Sequence, residues 1–164
     1  MSKIYLGLGS NLGDRKKNIT DATMICGSIL GTLECLSSLY ETEPWGYASP
    51  NKYLNAVICI KTEHAPERCL QMAKAIEREM GRAVHTGNGY EDRPIDIDIL
   101  FFDNLALKTE ELTIPHPLIQ DREFVLRPLA EIAPDLIHPV LGLSATEMLQ
   151  EWEKKEEPEE TKLS

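Results

Sequence analysis

The feature that most constrains the fold is the run RPIDIDIL at positions 93–100, in which isoleucine and aspartate alternate. Successive side chains of a strand point to opposite faces, so Asp96 and Asp98 are predicted to share one face and the isoleucines the other. Two neighbouring carboxylates on a mostly apolar strand repel each other and lose hydration unless a cation lies between them. A hard divalent ion with oxygen ligands is the simplest such cation, which favours Mg²⁺. Taken alone the motif is weak, because a pair on an edge strand can also face water.

Arginines from several segments supply positive charge if the fold brings them to this strand. Arg93 directly precedes the strand, Arg82 lies eleven positions earlier, and Arg122 follows the Pro-His-Pro segment at 115–117. Guanidinium groups and a carboxylate-held Mg²⁺ are the groups that proteins commonly use to bind a polyphosphate. The sequence therefore favours a site that handles phosphate groups.

Length and composition are those of an ordinary globular protein. The 164 residues, 42% hydrophobic and 27% charged, suit one domain over residues 1–152, followed by an acidic tail at 153–164 that is expected to be disordered. The net charge of −10 argues against nucleic acid as a partner, since binding a phosphate backbone needs a basic surface. No apolar run approaches the ~18 residues of a membrane span, and no secretion signal is evident. We expect a cytoplasmic monomer that acts on small molecules, with its four scattered cysteines reduced.

Hydrophobic periodicity and turn residues predict four strands and two main helices. The predicted elements are a strand at 3–9, a helix capped by Asp14 that runs to about Leu30, strands at 33–40 and 53–61, a helix from Pro66 to about Gly81, and a strand at 95–102. The order βαββαβ predicts an α+β protein, a ferredoxin-like sandwich whose mostly antiparallel sheet is covered on one face by two helices, with extra C-terminal helical segments. The connections at 42–52 and 82–93 are long enough to be functional or disordered.

Other candidate residues carry weaker signals. The region at 42–55 combines the aromatic rings of Trp45 and Tyr53 with Thr42 and Asn55, which can hydrogen-bond a planar heterocycle, although each aromatic taken singly is more often a core residue. The glycines at 7–13 lack the spacing of a nucleotide-binding loop and are better explained by close backbone approach at a strand end. The remaining candidates each have a purely structural alternative: a solvated helix charge for Glu77, simple packing for His116, and a core position for Phe124.

Six motifs then occur in a fixed order: Gly7-x-Gly-Ser-Asn-Leu-Gly, Tyr40-x-Thr-x-Pro-x-Gly46, Tyr53-Leu-Asn-Ala56, Glu77 followed by Gly81-Arg82, Arg93 to Leu100, and Ile114-Pro-His-Pro117. Together they resemble the 6-hydroxymethyl-7,8-dihydropterin pyrophosphokinase family of folate biosynthesis, over about residues 3–140. The resemblance implies transfer of the β,γ-diphosphate of ATP to the hydroxymethyl group of the pterin, with release of AMP. It also implies two Mg²⁺ ions, both held by Asp96 and Asp98.

The resemblance further implies a role for each matched residue. The pterin would be contacted by Thr42, Trp45, Tyr53, Asn55 and Phe124, and ATP by Leu70, Glu77, Arg82, Arg93, Ile99, His116 and Arg122. The catalytic set would be Arg82, Arg93, Asp96 and Asp98. The chain departs from the family pattern at Val84, where many members have a second arginine, and it has a longer 82–93 segment, with Tyr90 near a common tryptophan position. Pro117 likewise replaces a tyrosine of some relatives.

Two other classes of function compete with this interpretation. A small metal-dependent nucleotidyl or glycosyl transferase also uses an Asp-x-Asp motif, but it would not explain the aromatic residues and Asn55. A non-catalytic ferredoxin-like module that senses a ligand has no need of paired aspartates on a buried strand. The first would bind a sugar nucleotide, and the second would bind ligand without turnover.

Overall fold

The structure, a computed structural model, describes residues 1–44, 50–81 and 92–156. In chain order its elements are β1 (Ser2–Ser10), α1 (Arg15–Ile29), β2 (Gly31–Leu36), β3 (Tyr40–Thr42), β4 (Tyr53–Thr62), α2 (Pro66–Glu79), β5 (Asp96–Phe102), β6 (Leu107–Lys108), β7 (Thr113–Ile114), a 3-10 turn (Ile119–Asp121), α3 (Glu123–Ile132) and α4 (Ala145–Glu156). The predicted βαββαβ order is therefore present, with β3 as an additional short strand. This order and the antiparallel pairing of the strands confirm the α+β, ferredoxin-like prediction.

The main sheet has the strand order β2-β4-β1-β5, and all its strand pairs are antiparallel. The central pair, β1 and β4, runs in register from Ser2 opposite Thr62 to Ser10 opposite Leu54. On its other side β1 pairs with β5, which places Gly9 opposite Asp96. The ends of β1, β4 and β5 that carry the predicted site residues thus lie side by side.

The strand predicted at 33–40 is in fact two strands, β2 and β3, which both pair with β4. Between them the Ser37 backbone N–H donates to Val57 O at 3.0 Å, and the Ser37 hydroxyl accepts from the Val57 N–H at 2.9 Å. The next residue, Ser38, donates from its N–H and its hydroxyl to the Glu131 carboxylate, at 2.9 and 2.7 Å. A side chain replaces the backbone in the ladder here, and this interrupts the strand.

The helices α1 and α2 cover one face of the sheet, as predicted. Asp14 caps α1 by accepting a hydrogen bond from the Lys17 N–H at 3.1 Å, and Gly81, with φ of +88°, follows α2 in the left-handed conformation that glycine tolerates best. Ile95, Ile97 and Ile99 are buried in the core between these helices and the sheet. The predicted division of β5 into an isoleucine face and an aspartate face is therefore confirmed on the isoleucine side.

The other face of the sheet is covered by α3 and α4, which sequence analysis could only describe as C-terminal helical segments. They bury a second core that includes Tyr5, Leu100, Phe101, Leu126 and Met148. The protein is thus a three-layer structure, with helices on both faces of the sheet. This second core stops short of the ends of β1 and β5 where the aspartates lie.

Three further sequence expectations concern cysteines, membrane spans and the tail. All four cysteines are unbridged thiols, and burial raises the pKa of Cys26 to about 12. No helix within the described ranges is long and apolar enough to cross a bilayer. Helix α4 extends to Glu156, so the predicted domain boundary at 152/153 falls inside it, and 157–164 lie outside the described residues.

His138, between α3 and α4, is expected to contribute to the acid sensitivity of folding. It is buried, its ring packs edge-on against Phe101, and its Nδ1 accepts from the backbone N–H groups of Val140 and Leu141 at 3.2 and 3.1 Å. Burial lowers the pKa of His138, so the folded state prefers the neutral ring. The unfolded chain binds the proton more readily, and this contribution to stability is lost as the pH falls below the unfolded pKa of about 6.5.

We therefore expect the free energy of unfolding to fall between about pH 7.5 and about pH 5.5, as measured by urea denaturation. In His138→Asn, the side-chain oxygen keeps an acceptor near the Nδ1 position but does not titrate in this range. The variant should be less stable at the upper pH because its smaller side chain leaves a cavity, yet lose less stability on acidification. An equal loss in both proteins would contradict the role given to His138.

Candidate active site

A cleft open to solvent lies where β1, β3, β4 and β5 meet the start of α3. Concave sites that combine apolar and aromatic groups with a few polar ones are where proteins commonly bind small molecules. The lining residues are Gly7, Leu8, Gly9, Thr42, Glu43, Tyr53, Asn55, Ala56, Asp96, Asp98, Leu100, Arg122, Phe124 and Val125. The carboxylates and the aromatic and amide groups proposed from separate motifs therefore share one cleft.

Asp96 and Asp98 line this cleft from β5, on the face opposite the isoleucines. Their strand partners on β1 are glycines: Gly9 lies opposite Asp96 and Gly7 opposite Asp98. A Cβ atom on Gly9 would lie 3.3 Å from the Tyr53 ring, tighter than an ordinary contact. Gly9 therefore leaves room for the Tyr53 ring, and this close approach explains that glycine better than a nucleotide-binding loop does.

The donor set at this carboxylate pair fits Mg²⁺. Both side chains offer only oxygen atoms, which a hard cation prefers. Among the described residues no group of three or more His, Cys, Asp and Glu side chains converges as a metal cage. Mg²⁺ commonly binds through one or two carboxylates and keeps its other positions for water and substrate phosphates, so two aspartates suffice.

Arg93 lies beside the carboxylates and carries the opposite charge. Its Nη1 atom is 3.2 Å from Asp96 Oδ1, and its side chain is only 13% exposed. A partly buried ion pair of this kind is less screened than a surface pair. The structure thus brings the cation that sequence analysis placed just before the strand into contact with the first aspartate.

Arg122 and Phe124 form the α3 side of the cleft. Arg122 is largely buried, and its guanidinium carbon lies 5.5 Å from the centre of the Phe124 ring, within cation–π distance. The pair combines a positive charge with an aromatic face. Phe124 packs only partly against the second core, so the simple core alternative does not account for it.

Asn55, on β4, lies on the side of the cleft opposite α3. It is 3% exposed, and its Nδ2 donates to Tyr40 O at 3.0 Å and to Thr42 Oγ1 at 2.8 Å. These bonds fix the orientation of the amide, and Oδ1 lies toward Gly9, at 3.5 Å from where a Cβ on that glycine would be. Asn55 therefore offers an oriented acceptor at the floor of the cleft, next to the Tyr53 ring.

His116 lies outside the lining of the cleft and behaves as a neutral ring. The backbone N–H of His116 donates to Leu100 O at 3.0 Å, and its ring Nδ1 accepts from the backbone N–H of Leu118 at 3.2 Å. Burial first, and then the charge of Arg122, lower the pKa of His116 to about 4. With Nδ1 used as an acceptor, the ring proton resides on Nε2, so His116 is equipped to donate a hydrogen bond rather than to carry a charge at neutral pH.

Three predicted residues lie on the α2 side of the sheet, away from the carboxylates. Leu70 and Ile99 pack in the first core, whereas Glu77 is buried and its Oε2 accepts from the Ile97 N–H at 2.8 Å. This bond excludes the solvated-helix alternative for Glu77. Since Ile97 lies between the two aspartates, Glu77 also fixes the strand that carries them.

Two predicted site residues, Trp45 and Arg82, lie outside the described residues, as do the departures at Val84 and Tyr90. Sequence analysis missed Glu43 and Val125, which line the cleft beside residues that it named. Their only signal was adjacency to Thr42 and Phe124. The sequence indicated Asn11 only as a member of the first motif, although Asn11 hydrogen-bonds to the backbone of Arg93.

Comparison with known proteins decides the family. The model of the 7,8-dihydro-6-hydroxymethylpterin-pyrophosphokinase (HPPK) family matches residues 5–134. The chain belongs to the HPPK family. The matched range holds the whole lining of the cleft, from Gly7 to Val125.

Relatives of known name agree with the family. A 2-amino-4-hydroxy-6-hydroxymethyldihydropteridine pyrophosphokinase of Porphyromonas gingivalis is 46% identical over 141 residues, which cover 85% of this chain and 95% of that protein. A protein of the same name from Aquifex aeolicus is 39% identical, covering 85% of this chain and 86% of its own length.

A solved structure supports the fold. The wild-type Plasmodium falciparum HPPK-DHPS structure has a TM-score of 0.73 at 18% identity, and the match covers 94% of this chain but 45% of that one. This chain thus spans less than half of that longer protein. At this identity the likeness concerns the HPPK fold alone, and it agrees with the ferredoxin-like topology.

Proposed function

We propose that the cleft binds ATP and 6-hydroxymethyl-7,8-dihydropterin side by side and transfers the β,γ-diphosphate of ATP to the pterin hydroxymethyl group, releasing AMP. Pyrophosphokinase activity on this pterin in folate synthesis is the activity of the family. The observation that carries the proposal is that Asp96 and Asp98 share one cleft with Asn55 and the aromatic residues. A sensing module would need no such carboxylates.

The pterin end of the proposed site is built from aromatic faces and one oriented amide. Tyr53 and Phe124 would stack on the pterin ring, and Asn55 and Thr42 would hydrogen-bond its edge, together with Trp45. Support comes from the fixed Asn55 amide and from the position of both rings on the lining of the cleft. Recognition by a buried amide selects strongly for the matching edge of a heterocycle.

The phosphate end is built from the cations around the aspartates. Arg93, Arg122 and Arg82 would bind the triphosphate, and His116 would donate a hydrogen bond from Nε2. Leu70, Glu77 and Ile99 lie on the α2 side of the sheet and not on the lining of the cleft, so their contact with the nucleotide rests on the motif match alone. The ion pair of Arg93 with Asp96 and the burial of Arg122 support this end of the site. Arginines held in advance cover the transferred and leaving phosphates without reorganisation during the reaction.

Two Mg²⁺ ions are part of the proposal, with Asp96 and Asp98 as their ligands. When bound, they would neutralise charge on the triphosphate. Among the described residues, Arg93 and Arg122 would orient the diphosphate end, and Asn55 would orient the pterin. The proposal also includes a cytoplasmic monomer that binds no nucleic acid, and the net charge of −10 supports the last point.

The deciding experiment separates the nucleotide products after the protein is mixed with ATP, Mg²⁺ and the dihydropterin. We expect AMP and the pterin diphosphate to form in equal amounts, and no AMP without the pterin. ADP as the product would mean transfer of a single phosphoryl group and would contradict the proposal. Tight pterin binding with no product would support the sensing alternative.

A further inference from the structure

We propose that Asn11 is a positioning residue that sets the place of Arg93 in the active site. The inference rests on the proposed function, because it assigns Asn11 a role through a phosphate-binding arginine. Asn11 follows the last residue of β1 and is 2% exposed. It is outside the lining of the cleft, so it would act through Arg93 and not on a substrate.

Asn11 binds both polar groups of the Arg93 backbone. Its own N–H donates to Arg93 O at 3.0 Å, and its side-chain Oδ1 accepts from the Arg93 N–H at 2.7 Å. The side chain here takes the place of a backbone carbonyl and continues the pairing of β1 with β5 beyond Gly9 and Asp96. Fixing both backbone groups fixes the direction of the Arg93 Cα–Cβ bond.

The side-chain nitrogen of Asn11 hydrogen-bonds to two neighbouring segments. Its Nδ2 donates to Asp92 Oδ1 at 2.8 Å and to Asn51 O at 3.3 Å. The second oxygen of Asp92 accepts from Asn51 Nδ2 at 2.6 Å. One buried amide thus joins the end of β1 to the segment before β4 and to the segment before β5.

This network acts on the active site because only two residues separate Arg93 from Asp96. Pro94, with its restricted backbone, and Ile95, which is fully buried, form this connection. The Arg93 side chain bridges this connection, and its Nη1 donates to Asp96 Oδ1 at 3.2 Å. Asn11 fixes the backbone of Arg93, and pairing with Gly9 fixes that of Asp96, so the two residues are kept where the guanidinium reaches the carboxylate.

The test uses a polarity exchange within the network. In Asn11→Asp, Oδ1 remains for the Arg93 N–H, but the donor to Asp92 becomes an oxygen, so two carboxylates face each other. The double variant Asn11→Asp/Asp92→Asn restores the donor–acceptor pair between positions 11 and 92 in reversed order, and the new amide oxygen still accepts from the Asn51 side chain. It does not restore the longer bond from position 11 to Asn51 O. Asn11→Ala removes the side-chain hydrogen bonds of Asn11 without adding charge.

We expect Asn11→Asp and Asn11→Ala to raise the Kd of a non-hydrolysable ATP analogue, measured by calorimetry with Mg²⁺, about tenfold. The KM of the dihydropterin at saturating ATP should stay within about twofold, since Asn11 does not line the cleft. The double variant should recover the analogue affinity to within about threefold of wild type.

The matched control is Asn104→Asp, the same change at an exposed residue just past the end of β5, at the opposite end of that strand from the aspartates. It should leave the analogue affinity unchanged. Equal affinity in wild type and Asn11→Ala, no recovery in the double variant, or the same loss in Asn104→Asp would each overturn the inference. Absence of diphosphate transfer by the wild-type protein would instead overturn the proposed function, so the two failures are distinguishable.

Discussion

Asp96→Ala and Asp98→Ala are each expected to lower kcat by about a thousandfold, roughly 4 kcal/mol of transition-state stabilisation, while the protein stays folded. Both side chains line the cleft and neither belongs to a hydrophobic core, so their removal leaves no core cavity. Each change removes half of the oxygen donor set proposed for Mg²⁺. Steady-state formation of AMP, with circular dichroism of the same samples, measures both parts of the expectation.

A matched control is Asp21→Ala, which removes a carboxylate from the surface of α1, where Asp21 pairs with Lys17 at 2.7 Å. It should keep wild-type turnover. Raising the Mg²⁺ concentration should partly restore activity in the Asp96 or Asp98 variants if metal affinity is what they lost. Full activity in either variant at ordinary Mg²⁺ would contradict the metal assignment.

Arg93→Ala should lower kcat/KM for ATP by about a hundredfold or more, and Arg93→Lys should recover only part of this loss. The guanidinium is 13% exposed and pairs with Asp96, so alanine removes a cation from the phosphate end and leaves that carboxylate beside a smaller, uncharged side chain. Lysine returns the charge but not the planar fork that binds two phosphate oxygens at once.

The control for this series is Arg127→Ala on α3, where the arginine pairs with Glu123 at 2.7 Å and with Glu153 at 3.4 Å, away from the cleft. Its kinetic constants should match those of wild type. A lysine variant with full activity would show that charge alone matters at position 93. An alanine variant with unchanged kcat/KM for ATP would remove Arg93 from the phosphate site.

The sequence predicted correctly those elements that are determined by residues close together in the chain. The Asp14 cap, Pro66 at the start of α2 and the alternation in β5 each act through neighbouring residues, and the structure has them where predicted. The break between β2 and β3 depends on distant groups instead. Ser37 bonds to Val57 and Ser38 to Glu131, and nothing in the local sequence indicates these partners.

The candidate site divides in the same way. The face on which Asp96 and Asp98 lie follows from strand geometry alone, whereas the burial of Glu77 required knowledge of which strand α2 covers. Likewise the location of α3 and α4 on the second face decided that Arg122 and Phe124 reach the cleft. The apolar pattern of a helix predicts that one of its faces is buried, but it does not predict which surface of the protein that face packs against.

The alternation in β5 couples the proposed metal ligands to correct folding. Ile95, Ile97 and Ile99 fill the core beneath α2, and Asp96 and Asp98 project from the same strand into the cleft. A shift of one residue against β1 would drive carboxylates into the core and isoleucines into the cleft, so misregistered chains are removed by their own instability. The apolar residues of the 95–99 segment can therefore be exchanged for one another, whereas a one-residue slip of that segment would take the proposed metal ligands out of the cleft and place their charge in the core.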